Sequence, residues 1–87
     1  MLSASGLGRR VVIDAATAEK LGYVGDIEID MKTGVIQSVI VPKRDSLLSF
    51  FKRLEYVIPW ENITAIGNDV ILVNVNDSLI FPTKALK

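Results

Sequence analysis

The sequence predicts an all-β domain, and three observations carry that prediction. Residues 21–41, LGYVGDIEIDMKTGVIQSVIV, read as one complete hairpin whose turn can be identified. Two more apolar, β-branched runs follow, EYVI at Glu55–Ile58 and VILVNV at Val70–Val75. Strand-ending residues stand between them: Gly22, Gly25, Gly34, Pro59 and the Gly67-Asn68-Asp69 triplet.

Taken in order, residues 1–8 hold two glycines and two serines and read as a frayed lead-in, with Leu7 as the first anchored side chain. Arg9–Ile13 is a short strand. Asp14–Lys20 is Ala-rich and reads as one helical turn capped by Asp14 or Thr17. Gly22 and Gly25 flank Tyr23-Val24 and mark a bend or bulge. In the hairpin, Asp26, Glu28 and Asp30 alternate strictly with Ile27, Ile29 and Met31, the period-2 pattern of a half-buried strand. Lys32-Thr33-Gly34 forms its loop, with Gly34 where a three-residue turn wants a positive φ. Val35–Val41 returns as the partner strand.

KRDSLLSFFKRL, residues 43–54, breaks the strand pattern. Asp45 or Ser46 caps a short amphipathic turn there, with Leu47, Leu48, Phe51 and Leu54 on one face. Pro59 ends the strand that begins at Glu55, because proline donates nothing to a ladder. Trp60–Ile63 is a single helical turn, and Gly67–Asp69 turns the chain into the last strong strand. Ser78–Phe81 either adds an edge strand before Pro82 or belongs to a mobile tail.

This ordered set resembles the PRC-barrel domain, in particular its short stand-alone members of the YlmC/YmxH type. The carriers are Leu21-Gly22 followed by Asp26, Asp30 and Thr33-Gly34, then Val57-Ile58-Pro59-Trp60 with Ile63, Ile66-Gly67 and Asp69-Val70. The resemblance implies a small PRC-type β-barrel of about five to seven mostly antiparallel strands with one or two short helical turns. It divides the chain into a flexible N-terminus at 1–6, the barrel at 7–75 and a C-terminal extension at 76–87. Gly22, Asp26, Gly34, Pro59, Trp60 and Gly67 become structural motif positions under it. The Ala-rich stretch up to Lys20 and the extension depart from the simplest family pattern.

Composition narrows the function. Eighty-seven residues make one domain, without cysteine for disulfides or thiolate metal sites and without histidine. Ten basic and ten acidic side chains cancel, which argues against DNA and against general RNA affinity. Neither a membrane span nor a signal peptide is legible, and a cytoplasmic location, with or without membrane association, is the expectation. Apolar residues make up 49% of the chain, more than a small barrel buries, so part of that surface is expected in an interface.

No residue pattern calls for catalysis. Asp26, Glu28 and Asp30 project from one strand face at steps of about 7 Å, too wide to hold one cation without further ligands. Serine lacks a histidine base, nothing pairs Ser38 or Ser46 with another one, and no phosphate loop follows the glycines. Neither a cofactor nor a metal is expected. Trp60 and Tyr56 read as barrel packing. The exception is residues 43–54, where Lys43, Arg44, Lys52 and Arg53 bracket Leu47, Leu48, Phe50 and Phe51. Basic flanks around an aromatic centre suit a partner surface or an anionic membrane; the bland alternative is a loop folded onto the barrel end or a second subunit.

The resemblance implies a non-enzymatic adaptor that contacts other proteins. Together with the excess apolar surface it leads to an interaction module with an unidentified protein partner, self-associating as a homodimer through residues 43–54 and an exposed strand edge. One alternative is a peripheral membrane-surface adaptor using the same loop. A second, resting on analogy alone, is a ribosome or RNA-processing accessory factor.

Overall fold

A computed structural model of the chain describes residues 3–43 and 53–83. Its described elements are one helix, α1 (Ala4–Arg9), and eight short strands: β1 (Val11–Asp14), β2 (Lys20–Tyr23), β3 (Asp26–Ile29), β4 (Ile36–Lys43), β5 (Leu54–Pro59), β6 (Ile63–Ile66), β7 (Val70–Val73) and β8 (Ile80–Pro82). Single 3-10 turns at Trp60–Asn62 and Asp77–Leu79 precede β6 and β8.

The strands form two four-stranded sheets, ordered β2-β1-β7-β6 and β3-β4-β5-β8. All pairs are antiparallel except β1 with β7, which run parallel from Val11↔Val70 to Asp14↔Val73. This is the small all-β barrel architecture that the sequence implies. Beyond the strands legible in sequence stand β2 and β6, four residues each and carrying a glycine or a register irregularity. Such pieces are too short to show a period.

Among the described residues the chain crosses between sheets three times, the last between β7 and β8 through the Asp77–Leu79 turn. Val24-Gly25 carries it from β2 to β3, where the Gly25 N–H donates to the Ile40 carbonyl at 2.8 Å. On the other side the Trp60–Asn62 turn carries it from β5 to β6. β2 also lies against β4, which closes one flank of the barrel. Gly22 holds φ +134°, and a Cβ there would stand 3.3 Å from Val41 Cγ1, so this packing requires glycine.

The core is compact and almost wholly aliphatic. Val12, Val39, Val41, Ile58, Ile71 and Val73 have no exposed surface, and Leu7 and Leu21 complete the cluster. Trp60 and Tyr56 pack against it from the sides, consistent with their expected structural role. Inward positions alternate along β1 and β7, as a sheet with one core face requires.

Three local features depart from expectation. Residues 4–9 form α1 rather than a frayed lead-in, although its two glycines disfavour a helix. Local partners offset that cost. The Ser3 hydroxyl accepts from the Gly6 N–H at 3.0 Å, Leu7 is buried, and the Arg10 guanidinium donates to the Gly6 carbonyl at 2.7 Å and the Gly67 carbonyl at 2.6 Å. Second, Asp14–Lys20 is a hairpin loop: the Asp14 N–H pairs with the Glu19 carbonyl, and the Ala18 N–H donates to the Asp14 carbonyl. In place of the expected helical turn, the Asp14 carboxylate accepts from the Ala16 N–H at 2.9 Å and Ala18 closes the loop at φ +63°.

Third, the β3–β4 turn starts one residue earlier than the alternation implies. Asp30 pairs with Val35 and accepts from the Gly34 N–H, so Met31 belongs to the loop. Ile29, Met31 and Val35 are 47, 93 and 58% exposed because the hairpin tip projects past the core. Ser78–Phe81 resolves to the edge-strand alternative, with β8 paired to Leu54–Tyr56.

Two measurements check this account by chemical denaturation. Ile58→Ala should cost about 3 kcal/mol, and Ile29→Ala, at the exposed tip, under about 1 kcal/mol. Gly34→Ala should destabilise by about 1 kcal/mol because Gly34 sits at φ +73°, whereas Ala18→Gly should stabilise by several tenths up to about 1 kcal/mol.

Candidate interaction surface

Antiparallel sheets commonly bury one face and wet the other. The β3-β4-β5-β8 sheet does not follow that pattern. Val39 and Val41 on β4 and Ile58 on β5 face the core. The alternate positions, Ile36, Ser38 and Ile40 on β4 and Val57 and Pro59 on β5, share the opposite face, with Ile40 directly beside Val57. Phe81, opposite Glu55, extends that face onto β8 and is 46% exposed. β4 and β5 therefore carry apolar residues on both sides, with Ser38 and Glu55 as the polar positions of the outer one.

Two open grooves shape the outer face and meet at Val57. One, about 510 Å³, runs along Val35, Ile36, Pro59 and Trp60 to Glu61. The other, about 460 Å³, lies between Ile40, Val57 and Phe81, flanked by Glu28 and Glu55. Among the described residues lining them, none is cationic. The face is an apolar floor with carboxylates at its margins.

Asp26, Glu28 and Asp30 stand on the margin of this face, and each carboxylate is engaged locally. Asp26 accepts from the Ile27 N–H at 2.8 Å, Glu28 from the Ser38 hydroxyl at 2.7 Å, and Asp30 from the Lys32 N–H at 2.8 Å and the Gln37 amide at 3.3 Å. Among the described residues, no three carboxylates gather closely enough to hold a metal ion. The Ser38–Glu28 bond is a pairing that sequence did not reveal, because it depends on cross-strand register.

The basic–aromatic segment is only partly described. Lys43 ends β4 opposite Leu54 and is half-buried. Arg53 is exposed just before β5, and its carbonyl accepts from the Thr83 N–H at 2.7 Å. Arg44, Leu47, Leu48, Phe50, Phe51 and Lys52 lie outside the described residues, and so does the amphipathic turn expected there. The motif glycines and proline each act locally. Gly22 and Gly34 stand at positive φ, Pro59 ends β5, and the Gly67 N–H donates to the Val70 carbonyl.

The strand edges are poor templates for pairing. Asp26 occupies a backbone donor of β3, Pro82 ends β8, β6 is irregular between Ile63 and Ala65, and β2 is against β4. Such devices blunt edges.

A model of the PRC-barrel domain matches residues 1–80. Among curated proteins, the chain is 44% identical over 78 residues to the "Probable sporulation protein YlmC" of Bacillus subtilis, covering 88% of this chain and 96% of that protein. It is 41% identical over 63 residues to an uncharacterized protein of Clostridium acetobutylicum, 72% of each chain. To the "Uncharacterized protein YmxH" of Bacillus subtilis it is 29% identical over 77 residues, 86% of this chain and 91% of that one. The matched span runs from the N-terminus through all the strands of the first sheet to the start of β8, and on that extent and those identities the chain belongs to the PRC-barrel family.

Proposed function

We propose that the protein is a non-enzymatic interaction module, an adaptor that self-associates and meets other proteins through a sheet face. One observation supports this reading most strongly: on the outer face of β4 and β5 the half-buried Ile36, Ile40, Val57 and Pro59 stand around Ser38, whose hydroxyl is tied to Glu28. Water gains nothing from such a face, and covering it is favourable by roughly 25 cal/mol per Å² removed from solvent. Carboxylates at the margins lend polarity and selectivity without interrupting the apolar centre.

The name carried by YlmC refers to a process rather than a chemistry, and an adaptor is compatible with it. The membrane-surface alternative rests on residues 43–54. The described sheet face adds nothing to it, since acidic margins repel anionic lipid.

Light scattering tests the proposal. The intact chain should have the mass of two copies at micromolar concentration. Val57→Asp, which sets a charge at the centre of the outer face and leaves the core untouched, should have the mass of one copy with an unchanged circular dichroism spectrum. An intact chain with single-copy mass at every accessible concentration would overturn self-association.

A further inference from the structure

The groove between Ile40, Val57 and Phe81 has an apolar floor and an acidic frame. Cross-strand register fixes where that frame stands. Glu28 on β3 is level with Ser38 and Pro59, and Glu55 on β5 is level with Pro42 and Phe81. Ile40 and Val57 lie side by side between those two levels. At about 4.8 Å between strands and about 3.3 Å per residue, the two glutamate backbones stand roughly 16 Å apart, at opposite corners of the apolar centre. Asp26, level with Ile40, adds a third acidic side chain on the β3 side.

The two glutamates are held differently. Glu28 accepts from the Ser38 hydroxyl, which fixes its carboxylate over the β3–β4 pair. Glu55 is half-buried, and among the described residues no hydrogen bond or ion pair engages its carboxylate. Arg53 stands beyond Glu55 at the start of the strand and lines neither groove. Beside apolar side chains fewer waters screen a charge, so a cation brought to Glu55 gains more than it would on an open surface. The same negative frame repels nucleic acid and anionic lipid. An apolar centre between two placed carboxylates is complementary to an apolar side chain with a cation on either side.

We propose that this groove binds a protein segment that presents a large apolar side chain between two lysines or arginines. The apolar part lies on Ile40, Val57 and Phe81, and the cations meet Glu55 and Glu28. The inference rests on the sheet face being the interaction surface, as proposed above, and adds the chemistry of the partner. An extended segment rises about 3.3 Å per residue, so the two cations that match this frame are about five residues apart.

Methyl NMR titration of the intact chain tests it, with an end-blocked hexapeptide of lysine, serine, leucine, phenylalanine, serine and lysine as the probe. The Ile40 and Val57 methyl signals should shift and saturate, while those of Val12, buried in the core, should not. Replacing both lysines of the peptide by glutamate should weaken binding by about tenfold or more, and so should replacing its leucine and phenylalanine by serine. Glu55→Gln keeps the shape of the side chain and removes its charge. It should leave the circular dichroism spectrum unchanged and weaken the lysine peptide by about threefold or more. Methyls that stay still at millimolar peptide, equal binding of the lysine and glutamate peptides, or undiminished binding to Glu55→Gln would each overturn the proposal. Light scattering on the same samples separates this result from self-association. A two-copy mass with unmoved methyls overturns the segment and leaves the face to a second copy. A single-copy mass with the predicted shifts supports the segment and overturns self-association.

Discussion

Everything distinctive in this structure follows from a pair of strands with apolar side chains on both faces. β4 is the longest strand among the described residues, and with β5 it supplies Val39, Val41 and Ile58 to the core. These side chains anchor the sheet through complete burial, the largest favourable contribution available to a domain of this size. The same strands then send Ile36, Ile40 and Val57 the other way. On that side Ser38 is buried and Ile36, Ile40, Val57 and Pro59 are half-buried.

The rest of the barrel holds that face in place. The parallel β1–β7 pair joins the first strand to the last strand of the core across most of the sequence, and such non-local pairing fixes the first sheet as a unit. Gly22 lets β2 approach β4, and Arg10 ties α1 to the carbonyls of Gly6 and Gly67. The outer face of the second sheet is consequently a preformed surface. Preformed surfaces lose less entropy on docking than segments that must order first.

Much of this was legible in the residues, and the reasons for the rest are physical. The β3–β4 hairpin could be located because Asp26–Met31 alternates and Gly34 marks its turn. Its tip could not be placed, because alternation describes which side a residue faces and not how far the core extends; Ile29 and Met31 are on the apolar side yet stand in water. α1 was hidden by its glycines, since its stability comes from Ser3, Leu7 and Arg10 rather than from helix propensity. The excess of apolar residues raises the expectation of an interface. That β4 carries apolar residues on both faces was already visible in VIQSVIV, a nearly continuous apolar run. The grooves and their acidic margins were not, because they join residues from β3, β4, β5 and β8 by register.

The central claim is that the outer face of β4 and β5 is covered in solution. Methyl NMR with a water-soluble paramagnetic agent reads it directly, with Val12 as a buried standard and Met31 as an exposed one. At high protein concentration the methyls of Ile40 and Val57 should be protected nearly as well as those of Val12, and dilution should remove that protection. Broadening of Ile40 and Val57 as strong as that of Met31, and equal at every concentration, would contradict the account.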